Sequence, residues 1–197
     1  MMITDLLGIL KDIDCNSENV SNICAEKLSD YNYSFGSSKI VIHNGEIVLK
    51  KVFGKAPKNE VEVYRAAREA KLNEFFATSM LASSDGIYVQ EAIDISLNDY
   101  VAQKTKEGKK IKYGEMREKY REMGLQEMLY RSDCCVLYYL LLDNSLETIL
   151  ELQKFIVEQD LTDLQFYNAG FNRHGHLVFF DYSGTDLDLV EEEEKWE

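Results

Sequence analysis

Apolar residues in the first thirty positions recur at Leu6, Leu10, Ile13, Val20, Ile23 and Leu28, with Asn and Ser between them. That spacing predicts two short helices. The period then changes. Tyr31–Phe35 and Lys39–Ile42 read as strands, His43-Asn-Gly45 carries the Asn-Gly signal of a tight hairpin, and Ile47–Phe53 continues as a third strand. A turn over Gly54–Lys58 follows. Asn59 can then cap a helix over Glu60–Phe76, with Glu62 at the capping-box position. Gly86–Ala92 is a further strand, and Ser96–Gln103 a short polar helix. From Tyr113 to Gln159 the pattern is helical, carried by Met116, Tyr120, Met123, Leu129, Val136, Leu140 and Leu142 and closing on a helix over Leu146–Val157. Two short apolar strands, Ala169–Phe171 and Leu177–Phe180, then flank a turn at Asn172-Arg-His-Gly175. The order predicts an α+β protein with a sheet-rich first half and a helical second half.

Composition narrows the partners. A chain of 197 residues is one domain or two small lobes, long enough to bury a core. The net charge of −13 argues against a nucleic-acid backbone as the main partner, because phosphates demand a basic face. The basic cluster Lys104, Lys106, Lys109, Lys110 and Lys112 reads as a solvated loop. No apolar run reaches the roughly 18–20 residues that span a bilayer. The opening Met1–Leu10 lacks a basic n-region and a small-residue cleavage site, so an amphipathic helix is expected there rather than a signal peptide. Cys15, Cys24, Cys134 and Cys135 lack C-x-x-C spacing, and the adjacent pair suits neither a zinc site nor an ordinary disulfide. Reduced thiols and a cytoplasmic location are expected.

The chemistry concentrates near the end of the chain. Asp163-Leu-Gln-Phe-Tyr-Asn168 is followed, after the two apolar strands, by Asp181-Tyr-Ser-Gly184. A hairpin over 169–180 brings Asn168 and Asp181 together at one end, with Asp163 on the loop just before it. Two carboxylates and a carboxamide are hard oxygen donors suited to a nucleotide's metal ions beside a hydroxyl nucleophile. His174 and His176 flank Gly175 and read as a surface turn rather than a metal pair, with no further His or Cys nearby in sequence. Tyr113, Tyr120, Tyr130, Tyr138 and Tyr139 read as packing residues of the helical half.

The segment resembles the catalytic loop of the protein-kinase-like superfamily, H-R-D-L-x-x-x-N followed by D-F-G, as found in aminoglycoside-phosphotransferase-type and eukaryotic-like kinases. The resemblance covers roughly residues 31–184. It implies an α+β, two-lobed protein-kinase-like fold with a small antiparallel-sheet N-lobe (31–93) and a reduced, mostly helical C-lobe (94–190). A helical extension (1–30) would precede the lobes and an acidic tail (191–197) follow them. It implies ATP and Mg2+ as cofactors, Asp163 as catalytic base, and Asn168 and Asp181 as metal ligands.

Upstream, Ile47-Val-Leu-Lys50 is similar to the family's V-A-I-K, which makes Lys50 the phosphate anchor and Lys51 its register alternative. Glu62 is the implied helix partner of that lysine, with Glu60 and Glu69 as substitutes. Gln90-Glu-Ala-Ile93 looks like the hinge that holds adenine through backbone groups at Glu91 and Ile93. Gly36, Ser37 and Ser38 stand where the phosphate-covering loop belongs.

The sequence departs from the family pattern at several points. Leu161 and Thr162 replace the His and Arg before the catalytic Asp, Tyr182 replaces Phe, and Gly184 lies one place late. One glycine stands where the phosphate-covering loop has three. Only Thr185–Glu197 follows Gly184, so the part of the fold that recognises a peptide is expected to be missing. The implied function is transfer of the γ-phosphate of ATP to a hydroxyl of a small-molecule or protein acceptor. The alternative is a pseudokinase-type nucleotide- or protein-binding module without phosphotransfer. Neither nucleic acid nor membrane is expected as a partner.

Overall fold

Val48, Leu49, Lys50 and Lys51 are buried in succession, which makes β3 (Ile47–Val52) a central strand covered on both faces. The computed structural model describes residues 3–15, 17–35, 39–52, 60–83, 86–107 and 113–182, the side chains of 113–115 excepted. Contacts divide the chain into two compact units, Met1–Ala56 with Thr78–Ala92, and Pro57–Ala77 with Ile93–Glu197.

The first unit is built on a five-stranded antiparallel sheet in the order β1 (Tyr33–Phe35), β2 (Lys39–Asn44), β3, β5 (Ile87–Glu91) and β4 (Ser79–Ser83). The β2–β3 hairpin pairs Asn44 with Ile47 and turns on Gly45, whose φ of 65° lies in the left-handed region that favours glycine. Helices α1 (Ile3–Lys11) and α2 (Val20–Lys27) cover one sheet face. Leu6, Leu10, Ile13, Cys24 and Leu28 pack there with Ile40, Ile42, Leu49 and Ile87. The predicted helical preface therefore supplies half of this core.

The second unit starts at α3 (Glu60–Glu69). This helix ends well before the expected Phe76, because Lys71 turns into the left-handed region (φ 60°) and Leu72 N–H bonds back to Ala67. A 3-10 turn over Asn73–Phe75 then delivers Phe75 and Phe76 to the core. Helices α4 (Leu97–Lys106), α5 (Tyr113–Glu122), α6 (Gln126–Arg131), α7 (Cys134–Asp143) and α8 (Leu146–Glu158) form the helical block. Ser96, Asp133 and Ser145 cap α4, α7 and α8 by accepting main-chain N–H groups.

A three-stranded sheet of β6 (Ile95–Ser96), β7 (Ala169–Phe171) and β8 (Leu177–Phe179) completes this unit. At Gly170 a Cβ would lie 2.7 Å from both Ile95 O and Ile93 Cδ1, so only glycine permits the approach of β6 to β7. The predicted hairpin is present as β7–β8, turning on Gly175 (φ 78°). The architecture is α+β with eight α-helices among the described residues. No helix among them is long and apolar enough to cross a membrane.

Candidate functional site

Asp163 sits on a loop fastened at both flanks. Leu161 and Leu164 are fully buried, and Leu164 N–H bonds to Arg131 O at 2.9 Å. Arg131 Nη1 donates to Leu161 O at 2.8 Å and to Asp160 Oδ1 at 3.0 Å. Asp133 accepts Val136 N–H with one carboxylate oxygen and Phe166 N–H with the other, both at 2.9 Å, so the cap of α7 also grips this loop. Between these anchors Asp163 adopts φ 57°, a left-handed conformation uncommon for a residue with Cβ. Arg131 Nε and Thr162 Oγ1 are buried without a hydrogen-bond partner.

The strained residue meets the two side chains that follow it. Asn168 Nδ2 donates to Asp163 O at 2.8 Å and to Asp163 Oδ2 at 3.1 Å. Tyr167 Oη donates to Asp163 Oδ1 at 2.6 Å. That hydrogen bond holds the phenol proton and pushes the Tyr167 pKa above its ordinary value. Asn168 Oδ1 is left facing none of the described donors.

Asp181 is tied to the same turn through the hairpin. Phe180 N–H bonds to Asn168 O at 3.0 Å, directly ahead of Asp181. Behind it, Tyr182 is fully buried, its hydroxyl donating to Ala77 O at 2.8 Å and its ring edge-on to Phe76 at 5.0 Å. Asp181 is half-buried between these anchors. An amide oxygen and a carboxylate are the hard donors Mg2+ takes when phosphate oxygens and water fill its remaining positions. The described residues contain no cluster of three or more His, Cys, Asp or Glu that could hold a metal alone.

In the sheet unit the two adjacent lysines have different surroundings. Lys51 Nζ donates to Leu10 O at 2.6 Å and Ile13 O at 2.7 Å, satisfying carbonyls at and just beyond the C-terminus of α1. Lys50 is buried on the opposite sheet face, its Nζ 6.0 Å from the ring of Tyr88, its cross-strand neighbour. On β5, Glu91 Oε2 accepts Thr78 N–H at 3.3 Å and Glu91 N–H donates to Thr78 O at 2.9 Å.

In the helical unit Ile93 packs at Gly170. Glu62 and Glu69 on α3 are exposed, whereas Glu60 is fully buried. Gly36, Ser37, Ser38 and Gly184 lie outside the described residues. Lys109, Lys110 and Lys112 also lie outside them, while Lys104 pairs with Glu107 at 3.2 Å. His174 and His176 are exposed, and both of their N–H groups bond to Asn172 Oδ1, which shapes the turn.

Three contributors escaped the sequence reading. Asp133 and Arg131 act on the loop from about thirty residues away, and only the helix-cap pattern Ser132-Asp133 before an apolar run marks the first. Tyr167 lies inside the motif at a position the family pattern leaves open. Beside the loop is an apolar cavity of about 600 Å³, walled by Val101, Leu129, Cys134, Cys135, Gln165 and Phe166. Burial there pushes the Cys134 thiol pKa up. No family model matches the chain, and a search of curated proteins finds no match either.

Proposed function

We propose that the protein is an ATP- and Mg2+-dependent phosphotransferase of reduced, two-lobed protein-kinase-like fold, acting on a hydroxyl. The observation that carries this reading is the contact of Asn168 with Asp163, with Phe180 bonded to Asn168 just ahead of Asp181. Asp163 and Asn168 lie on one short turn, and a main-chain hydrogen bond joins the residue before Asp181 to it.

ATP with Mg2+ supplies the activated phosphoryl group and neutralises its charge. Asp163 orients the attacking hydroxyl and takes its proton. Asn168 steadies that carboxylate through Nδ2 and offers Oδ1 to the metal, and Asp181 offers its carboxylate. Lys50 is the phosphate anchor, since Lys51 is committed to the carbonyls of Leu10 and Ile13. Backbone groups at Glu91 and Ile93 would meet adenine, and Gly36, Ser37 and Ser38 the phosphates.

A thermal-shift titration tests the reading. At a hundredfold excess over its dissociation constant, a ligand that binds only the folded state adds about 2.7 kcal/mol. Stabilisation by ATP that requires Mg2+ supports the proposal, and no nucleotide effect on the folded protein overturns it. One observation favours a second reading, a binding module without phosphotransfer. Both carboxylate oxygens of Asp163 already accept hydrogen bonds from the protein itself.

A further inference from the structure

Asp163, the residue assigned to accept a proton from an acceptor hydroxyl, already holds a hydroxyl of its own chain. We infer that Tyr167 is a phosphoryl acceptor, modified in cis by the site that Asp163, Asn168 and Asp181 form; this rests on the phosphotransferase reading. Tyr167 Oη lies 2.6 Å from Asp163 Oδ1 and donates to it, within the reach a general base needs for the proton it removes. Tyr167 is 47% exposed, so a phosphate group can approach its oxygen. This separates it from Tyr182, which is fully buried with its hydroxyl committed to Ala77 O.

The Tyr167 ring stands edge-on to Phe166 at 5.7 Å, and among the described residues the hydroxyl's hydrogen bond is the one to Asp163. The next residue is Asn168, which holds the same carboxylate from its other oxygen. Nucleophile, base and metal-holding amide thus come from six consecutive residues, and their meeting needs no second molecule.

The transfer balances simply. Tyr167 Oη forms a bond to the γ-phosphorus of a nucleoside triphosphate, and the bond from that phosphorus to the β,γ-bridging oxygen breaks. The bridging oxygen leaves with the electron pair on the nucleoside diphosphate, while the phenolic proton passes to Asp163. The product carries about −1.5 to −2 charge beside a carboxylate and no longer has the donor that held it. Modification therefore ends the Tyr167–Asp163 contact and frees that carboxylate oxygen.

The full chain, with Tyr167→Phe, Asp163→Asn and Asp181→Ala variants, is incubated with ATP and Mg2+, and phosphate on each tyrosine is located by peptide mass spectrometry while ATP consumption is followed. The expected result is phosphate on Tyr167 at a first-order rate unchanged by tenfold dilution and lower on the order of 100-fold in Asp163→Asn. Asp181-dependent ATP consumption with no phosphate on Tyr167 overturns this inference and leaves the phosphotransferase reading standing. Neither consumption nor phosphate overturns both.

A nucleotide-free measurement addresses the contact itself. Nitration of Tyr167 by tetranitromethane, scaled to the 82% exposed Tyr130, should rise several-fold in Asp163→Ala, which removes the acceptor. Equal nitration in the two proteins contradicts the contact on which the inference depends.

Discussion

Asn168 holds Asp163 twice, through the main-chain carbonyl at 2.8 Å and the carboxylate at 3.1 Å. The residue that would bind metal therefore also sets the position of the residue that would take the proton. Asn168→Ala removes both hydrogen bonds from a loop that remains fastened by Arg131 and Asp133. Its cost in global stability should be small, about 1 kcal/mol by urea denaturation. The Mg2+-dependent thermal shift with ATP should nevertheless disappear. A variant that retains the full shift would remove Asn168 from the metal site.

The two lysines of β3 should separate cleanly. Lys51→Met strands the carbonyls of Leu10 and Ile13, and should destabilise the protein by about 3 kcal/mol in chemical denaturation. Where it remains folded, its ATP response should survive. Lys50→Met should instead abolish that response. The opposite assignment of effects would make Lys51 the phosphate anchor.

Tyr182 fixes the backbone next to Asp181 by burying its ring against Phe76 and bonding to Ala77 O. Tyr182→Phe keeps the packing but removes one buried hydrogen bond, a loss of about 1 kcal/mol. Tyr182→Ala also opens a cavity and should cost roughly 3–5 kcal/mol. Denaturant midpoints for the two variants measure the difference. Equal losses would mean that the ring contributes nothing beyond its hydroxyl.

Alkaline pH should destabilise the helical unit through Tyr120 and Tyr139. Both are buried, and burial pushes each phenol pKa from its ordinary 10 up to about 12. Between these values the unfolded chain has released protons that the folded protein still holds. Stability from these groups is therefore fully present below about pH 10 and falls as pH rises towards about 12. Tyr120→Phe and Tyr139→Phe should each flatten the decline in urea midpoint over that range, and an unchanged slope would contradict the assignment.

Local patterns made the candidate segment readable. Asp163 and Asn168 lie on one short turn, and the hairpin that brings Asp181 back is announced by two apolar strands around Gly175. What fastens that turn was not readable, because Arg131 and Asp133 reach it only through tertiary folding. The face of Lys51 likewise depends on where α1 ends in space. Lys71 carries no stop signal, since Ala70 and Lys71 are good helix formers, so the sequence pattern runs on to Phe76 where α3 ends at Glu69. Strand β4 was not assigned because Met80 and Leu81 are adjacent rather than alternating, and both face outward.

Phosphate release or transfer from ATP, measured in parallel for the wild type and Asp181→Ala with Mg2+ present, tests the central claim most directly. Mg2+-dependent turnover in the wild type, reduced at least 100-fold in a folded Asp181→Ala protein, is the expected result. Equal rates in the two proteins would contradict it.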